Sequence, residues 1–169
     1  MNPNERSYDS EQLWQLEKKI LQNDVLTDSE LQPVRRCLES SLDEDKLLAA
    51  QGLLRHRYSA ALIEAASKVA TQLCAAALME PGHFNLNLLL LLQFVPEIYL
   101  NNHFVHKFIF AAAVCPDTDA RANAMIVLAR LARTGDFEAS KALELAKLDP
   151  NEIVSQNANS LSRAVKHAS

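Results

Sequence analysis

Glycine is scarce in this 169-residue chain, which contains only Gly52, Gly82 and Gly135. Three isolated glycines cannot form a loop that cradles phosphate, and none of the G-x-G-x-x-G, G-x-x-x-x-G-K-[ST], G-x-S-x-G or H-E-x-x-H motifs occurs. A composition poor in glycine and rich in alanine and leucine favours helix over strand. We therefore expect an all-α protein that is not an enzyme and binds no cofactor.

Cysteine is also infrequent, and Cys37, Cys74 and Cys115 are odd in number and widely spaced. They form no C-x-x-C pair and no metal-ligand spacing, so buried and reduced thiols are expected. The polar N-terminus, MNPNERSYDSEQ, lacks the apolar run of a signal peptide. Both features predict a cytoplasmic location.

No excess of basic residues is present, since the formal net charge is −4. The acidity is concentrated in the first 45 residues, where five basic and eleven acidic side chains give a net charge of −6. Without a basic face, nucleic acid is not an expected partner. The acidic N-terminal third, which includes Asp43, Glu44 and Asp45, is instead a candidate surface for a basic protein.

The most apolar stretch, residues 84–115, is too interrupted to cross a membrane, which takes about 20 consecutive apolar residues. The interruptions are Asn87, Gln93, Pro96 and Glu97. The pattern predicts two buried core helices, at 84–95 and 102–114, and we expect them to form the hub of the fold. No membrane association is expected.

Apolar periodicity and helix start and stop residues predict about nine helices and no strand. The predicted helices cover about 10–22, a segment starting at 27, and then 41–57, 59–79, 84–95, 102–114, 119–133, 137–148 and 150–167. Gly135 lies where a C-terminal cap glycine would follow the helix at 119–133. Residues 1–8 are expected to be a flexible tail, and residues 9–169 a single α-helical domain.

Two segments near the C-terminus are similar when Ala120 is placed on Val154, and each of the two copies follows a turn that contains proline and aspartate. Ala120, Ala124, Val127 and Leu131 then align with Val154, Ala158, Leu161 and Val165, and Asn123 aligns with Asn157. Apolar residues at these spacings give each helix one buried face, so amphipathicity alone accounts for much of this match.

The segment from Pro116 to Ala124 resembles the second helix of a HEAT repeat, in which acidic turn residues precede Val-Arg and then alanine and leucine positions. Asp117 occupies the position of the turn acid and Arg121 that of the arginine. The second copy keeps the acid as Asp149 but has Ser155 in place of the arginine. The resemblance covers about residues 100–169 and implies an α-solenoid of stacked helix pairs.

Two other architectures compete with a HEAT-like solenoid. Gly135-Asp136-Phe137 and Leu148-Asp149-Pro150 are similar to the inter-helix turn and the exit of a tetratricopeptide repeat. The distance from Gly135 to Pro150 is, however, about two residues shorter than that motif requires. An irregular helical bundle also fits the pattern.

Stacked helix pairs present an extended surface along which a partner lies. The primary prediction is therefore a non-catalytic protein-binding or scaffold module that binds another protein through exposed strips of its last helices. The candidate contact residues on these strips are Arg121, Arg130, Asn157 and Arg163.

Two alternative functions are open at this stage. One is a dedicated chaperone or inhibitor that binds one basic client protein through Asp43, Glu44 and Asp45. The other is an enzyme or ligand carrier that uses His103 and His106, whose spacing places both imidazoles on one helix face and can bind a metal. A metal site needs a third ligand, and no third residue in a suitable helical phase follows from the sequence.

Overall fold

The computed structural model describes residues 43–55, 60–79 and 84–168, together with isolated positions at 18, 32, 36, 38 and 39. Regular structure in the three continuous ranges is helical throughout, in eight helices and no strand, which confirms the all-α prediction. The helices are α1 (Asp43–Arg55), α2 (Ala60–Ala77), α3 (Leu86–Leu92), α4 (Glu97–Leu100), α5 (His103–Ala113), α6 (Thr118–Arg133), α7 (Phe137–Ala146) and α8 (Glu152–Ala168). The helices predicted at 10–22 and from 27 lie outside the described residues except at the isolated positions.

The chain divides into two compact units, residues 1–70 and 71–169, and the boundary falls within α2. In the first unit, the described side chains of α1 include five buried apolar residues, Leu47, Ala49, Ala50, Leu53 and Leu54. The second unit contains the end of α2 and all of α3 to α8. The single domain over residues 9–169 stays a prediction.

Helices α3 and α5 occupy the apolar stretch where two core helices were predicted, and the short α4 fills the break between them. Asparagine side chains cap both helices: Asn85 accepts a hydrogen bond from the backbone N–H of Asn87, and Asn102 accepts one from that of Phe104. Four leucines of α3 are buried, namely Leu88, Leu89, Leu91 and Leu92. The predicted burial is confirmed for these leucines and for four residues of α5, namely Val105, Phe108, Ile109 and Ala112, whereas Ile98, Phe104 and Val114 of the same stretch are exposed.

Helix α6 lies at the centre of the second unit, because it packs against α3, α4, α5, α7 and α8. Nine of its residues are buried: Ala120, Ala122, Ala124, Met125, Val127, Leu128, Ala129, Leu131 and Ala132. The many alanines allow neighbouring helices to approach α6 closely on several sides. The hub of this unit is consequently α6 rather than the predicted stretch of residues 84–115.

Two helical hairpins, α5–α6 and α7–α8, follow one another with their caps at corresponding positions. Asn102 and Asp136 cap α5 and α7, and Asp117 and Asn151 accept hydrogen bonds from the first backbone N–H groups of α6 and α8. The hairpins also share their buried positions, since Ala120 and Ala124 are fully buried and so are their counterparts Val154 and Ala158. The alignment seen in the sequence therefore relates both helices of each hairpin.

Gly135 ends α6 and directs the chain into α7. Its φ of 91° lies in the left-handed region that glycine adopts most easily. The backbone N–H of Asp136 donates to the carbonyl oxygen of Leu131, and that of Gly135 to the carbonyl oxygen of Ala132. This is the Schellman pattern of a helix C-terminus, and it confirms the predicted cap glycine.

Candidate functional site

Arg121 joins the two hairpins through one side chain. Its Nε and Nη2 atoms donate to the two carboxylate oxygens of Asp149 over 2.9 and 3.1 Å. Its Nη1 atom donates to the carbonyl oxygens of Cys115 and Pro116, both over 2.9 Å. The hydrogen bond from Arg121 lowers the pKa of Asp149, and the same bond raises the pKa of Arg121. The Arg121 guanidinium is thus engaged within the chain.

Arg130, a second predicted contact residue, caps the C-terminus of α3. Its Nη1 atom donates to the carbonyl oxygens of Leu92 and Gln93 over 3.0 and 2.8 Å, and Nη2 donates to that of Val95 over 2.8 Å. The last carbonyls of a helix have no partner within the helix, so a cation that binds them stabilises its end. The structure accordingly gives Arg130 a role inside the fold.

The other predicted contact residues are in different settings. Arg163 is exposed on α8, whereas Asn157 is half-buried on the same helix. Asp43, Glu44 and Asp45 begin α1, and their side chains lie outside the described residues. Partner binding by any of these residues stays a prediction.

His106 contacts the second hairpin instead of pairing with His103. Its Nε2 atom lies 3.0 Å from a carboxylate oxygen of Asp136, and its ring stacks on Phe110 with 4.4 Å between ring centroids. Burial raises the pKa of Asp136, but hydrogen bonds from the backbone N–H of Ala139 and from His106 outweigh it and lower the pKa overall. In the part of the chain that the structure describes, no group of three or more His, Cys, Asp or Glu side chains could hold a metal ion.

A cleft of about 690 Å³ lies between α5 and α7. Phe110 and Ala113 form its α5 wall, which the C-cap residue Val114 extends. The α7 wall consists of Glu138, Lys141, Ala142, Leu145 and Ala146, and Leu148 extends it beyond the helix end. Met125 of α6 forms the floor, beside the ion pair of Arg121 and Asp149. Because α5 and α7 both pack on α6 but not extensively on each other, the space between them stays open.

A polar contact, called a tie below, joins α5 to α7 at each end of the cleft. His106 and Asp136 connect the N-terminal halves of α5 and α7. Arg121 connects their C-terminal ends, since it binds both the Cys115 carbonyl and Asp149. The two helices therefore run in the same direction, and the ties hold the apolar walls at a set separation.

Large apolar side chains at the C-terminal end of the cleft are strongly exposed. The exposed fraction is 81% for Val114, 61% for Leu145 and 82% for Leu148. Removing apolar surface from water stabilises a complex, by about 25 cal/mol per Å². Contiguous exposed apolar side chains rimmed by polar ones are typical of a site of interaction.

The face of α7 turned away from the cleft is polar and its groups are paired. A carboxylate oxygen of Glu144 accepts a hydrogen bond from the buried Ser162 over 2.7 Å, and the carboxylate also pairs with Lys147 and Lys166. The hydrogen bonds from Lys147, Ser162 and Lys166, in that order, lower the pKa of Glu144 to about 2. The two sides of α7 are therefore chemically distinct.

Cys74 and Cys115 lie among the described residues, and both are buried free thiols, as predicted. Burial raises the pKa of Cys74 and of Cys115, which disfavours the nucleophilic thiolate. The Cys115 Sγ atom also donates to the Asp117 carbonyl oxygen over 3.4 Å. Neither thiol has the environment of an activated nucleophile. Cys37 lies outside the described residues.

A comparison of the chain with protein-family models, with curated proteins and with solved structures finds no match. Among the residues that the structure describes, no helix combines the length and apolar character that a membrane span requires. The geometry of the cleft is therefore the main basis for a functional proposal.

Sequence reasoning missed Val114, Leu145 and Leu148 as site residues. Leu145 lies off the buried face of α7, which buries Ala139 and Leu143, and Val114 and Leu148 follow the C-terminal ends of α5 and α7. A large apolar residue out of phase with its helix's buried face is the signal that could have identified Leu145. Arg121 and Arg130 were selected instead because of their charge.

Proposed function

We propose that this chain is a non-catalytic protein-binding module whose partner docks in the cleft between α5 and α7. The observation that carries the proposal is the high exposure of Val114, Leu145 and Leu148 around a cleft of about 690 Å³. Side chains this exposed extend beyond the space that a small ligand in the cleft would cover. A protein segment that also contacts the rim would bury them.

The proposal includes a short α-solenoid built from the hairpins α5–α6 and α7–α8. Two observations support it: the caps recur at equivalent positions of the two hairpins, and Arg121 of one hairpin pairs with Asp149 of the next. These are the two residues in the arginine and turn-acid positions of the HEAT resemblance. The period, on the other hand, is that of a tetratricopeptide repeat. The repeat family stays a prediction.

The polar face of α7 supports this arrangement. In the alignment that places Ala120 on Val154, Glu144 takes the position of Phe110, so the two are equivalent in the two hairpins. Phe110 lines the apolar cleft toward the next hairpin, whereas Glu144 is paired with Ser162, Lys147 and Lys166. Stacked repeats need a polar outer face where the stack ends, and this network provides one. Binding then concentrates in the cleft between the two hairpins.

A cytoplasmic location, expected from the cysteines, belongs to the same proposal. The alternative of a chaperone or inhibitor for a basic client stays a prediction, because the side chains of Asp43, Glu44 and Asp45 are not described. The enzyme or ligand-carrier alternative depended on the histidine pair. His106 instead contacts Asp136 through Nε2 and stacks on Phe110, and these contacts favour a structural role for the imidazole.

The test is selection of binders from a displayed library of helical peptides, with the intact chain as bait. Selected peptides are then titrated against Leu145→Asp and Ile153→Asp. These two side chains are a matched pair, since their exposed fractions are 61% and 60% and only Leu145 lines the cleft. Because a carboxylate in an apolar contact is costly, Leu145→Asp should weaken binding by at least about tenfold, which is 1.4 kcal/mol.

The control Ile153→Asp should leave the affinity within about twofold of the unsubstituted chain. Equal losses in both variants would contradict the assignment of the cleft. Failure to select any peptide that depends on Leu145 would contradict the proposed function itself.

A further inference from the structure

Glu138 and Lys141 are two exposed charges on the α7 wall of the cleft, one helical turn apart. In the part of the chain that the structure describes, neither side chain forms a hydrogen bond or an ion pair. The other charges that line the cleft, Arg121 and Asp149, neutralise each other. An occupant of the cleft therefore meets one anion and one cation of the α7 wall in a fixed order.

The order of these charges relative to the apolar residues is also fixed. From the C-terminal end of the α7 wall toward its N-terminus come Leu148, Leu145, Lys141 and Glu138, at successive spacings of three, four and three residues. These spacings place Leu145, Lys141 and Glu138 along one face of α7, and Leu148 follows in the turn after the helix. A second helix lying along this wall would meet two apolar side chains, then a cation, then an anion.

The dipoles of α5 and α7 favour one orientation of a helix docked in the cleft. The two helices run in the same direction, so their positive N-terminal ends lie at the same end of the cleft, beside the tie between His106 and Asp136. A docked helix that runs antiparallel to them brings its negative C-terminal end to that position. Antiparallel docking is therefore electrostatically favoured over parallel docking.

We propose that the occupant of the cleft is an amphipathic helix of a partner protein that lies antiparallel to α7. It carries apolar residues at i and i+3, an acidic residue at i+7 opposite Lys141, and a basic residue at i+10 opposite Glu138. The apolar residues cover Leu148 and Leu145, and the two charges match the charges of the wall. This inference rests on the proposed function and specifies the partner's recognition pattern.

The test uses two synthetic peptides of about 16 residues, roughly four helical turns. The first has leucines at i and i+3, glutamate at i+7 and lysine at i+10 on an otherwise identical alanine- and glutamine-rich background. The second has the glutamate and lysine exchanged. The peptides share composition and net charge, and circular dichroism of the free peptides checks that their helical contents match.

The intact chain should bind the first peptide roughly tenfold more tightly than the second. Each exposed ion pair contributes little, but the first peptide forms two attractive pairs where the second forms two repulsive ones. The double variant Glu138→Lys/Lys141→Glu should reverse this preference and bind the second peptide more tightly. High salt should reduce both preferences, since exposed charges are screened.

Equal affinity for the two peptides, or a preference that the double variant does not reverse, would overturn the inference. The proposed function survives that result if binding of both peptides is still lost in Leu145→Asp and kept in Ile153→Asp. If neither designed peptide binds while library-selected peptides bind through Leu145, the proposed charge pattern is wrong and the assignment of the cleft as the binding site is supported. If nothing binds through Leu145, both proposals fail.

Discussion

Arg121 chelates the carboxylate of Asp149 across the junction of the two hairpins, with contacts of 2.9 and 3.1 Å. Both side chains are close to fully covered, with 13% and 11% of their surface exposed. The same guanidinium holds the carbonyls at the end of α5. One side chain thus connects the segments that follow the C-terminal ends of α5 and α7, at one end of the cleft.

Arg121→Met should destabilise the chain by about 2 kcal/mol, because it leaves Asp149 and two carbonyls without their donor. The free energy of unfolding from urea titrations measures the effect. A double-mutant cycle with Asp149→Asn separates the pair from its surroundings and should give a coupling energy of about 1 kcal/mol or more. A coupling energy near zero would show that the ion pair does not join the hairpins.

Arg130→Met should cost about 1–2 kcal/mol, since the carbonyls at the end of α3 lose a charged donor. Arg133→Met is the matched control, because Arg133 lies on the same helix and is exposed. The control should change the free energy of unfolding by less than about 0.5 kcal/mol. Similar losses in both variants would argue against capping of α3 by Arg130.

Gly135→Ala and Gly52→Ala should change stability in opposite directions. A Cβ atom meets nothing within 4 Å at either position, so only backbone conformation matters. Gly135 has a φ of 91°, and alanine there should cost about 1 kcal/mol. Gly52 lies inside α1, where alanine should stabilise by about 0.5–1 kcal/mol. Thermal unfolding of the two variants checks the signs, and equal signs would refute this account.

Glu144 should make stability sensitive to acid. Its pKa in the folded chain is lowered from 4.5 to about 2, so its contribution is present above pH 4.5 and is lost as the pH falls toward 2. Glu144→Gln should therefore unfold more readily than the unsubstituted chain at pH 7, with a difference that shrinks as the pH falls. The free energy of unfolding at several pH values tests this. A difference that is constant with pH would contradict the role of the carboxylate.

Much of the fold followed from local features of the sequence. The cap at Gly135, the break at Pro96 and the apolar pattern of α3 and α5 are properties of a few neighbouring residues, and they predicted the helix bounds closely. The similarity of α6 and α8 was also visible in the sequence, whereas the equivalence of α5 and α7 followed from the caps seen in the structure. The extra helix α4 was missed because it is only four residues long.

The cleft could not be predicted in the same way. Helical phase separates Leu145 from the buried Leu143, but the open space beside Leu145 depends on how α5 and α7 pack on α6. Asp149, which pairs with Arg121, and the carbonyls that bind Arg130 lie 28 or more positions away in sequence. Because of such long-range contacts, Arg121 and Arg130, which were predicted to contact a partner, bind groups within the chain instead.

Binding of a helical partner in the cleft is the central claim, and methyl NMR of the intact chain tests it most directly. The chain is labelled at its valine, leucine, isoleucine and methionine methyl groups and titrated with a library-selected peptide. We predict that signals of Val114, Met125, Leu145 and Leu148 shift together, while those of the exposed Ile98 and Ile153 stay unchanged. Shifts centred on Ile98 or Ile153, with the cleft signals unchanged, would contradict the account.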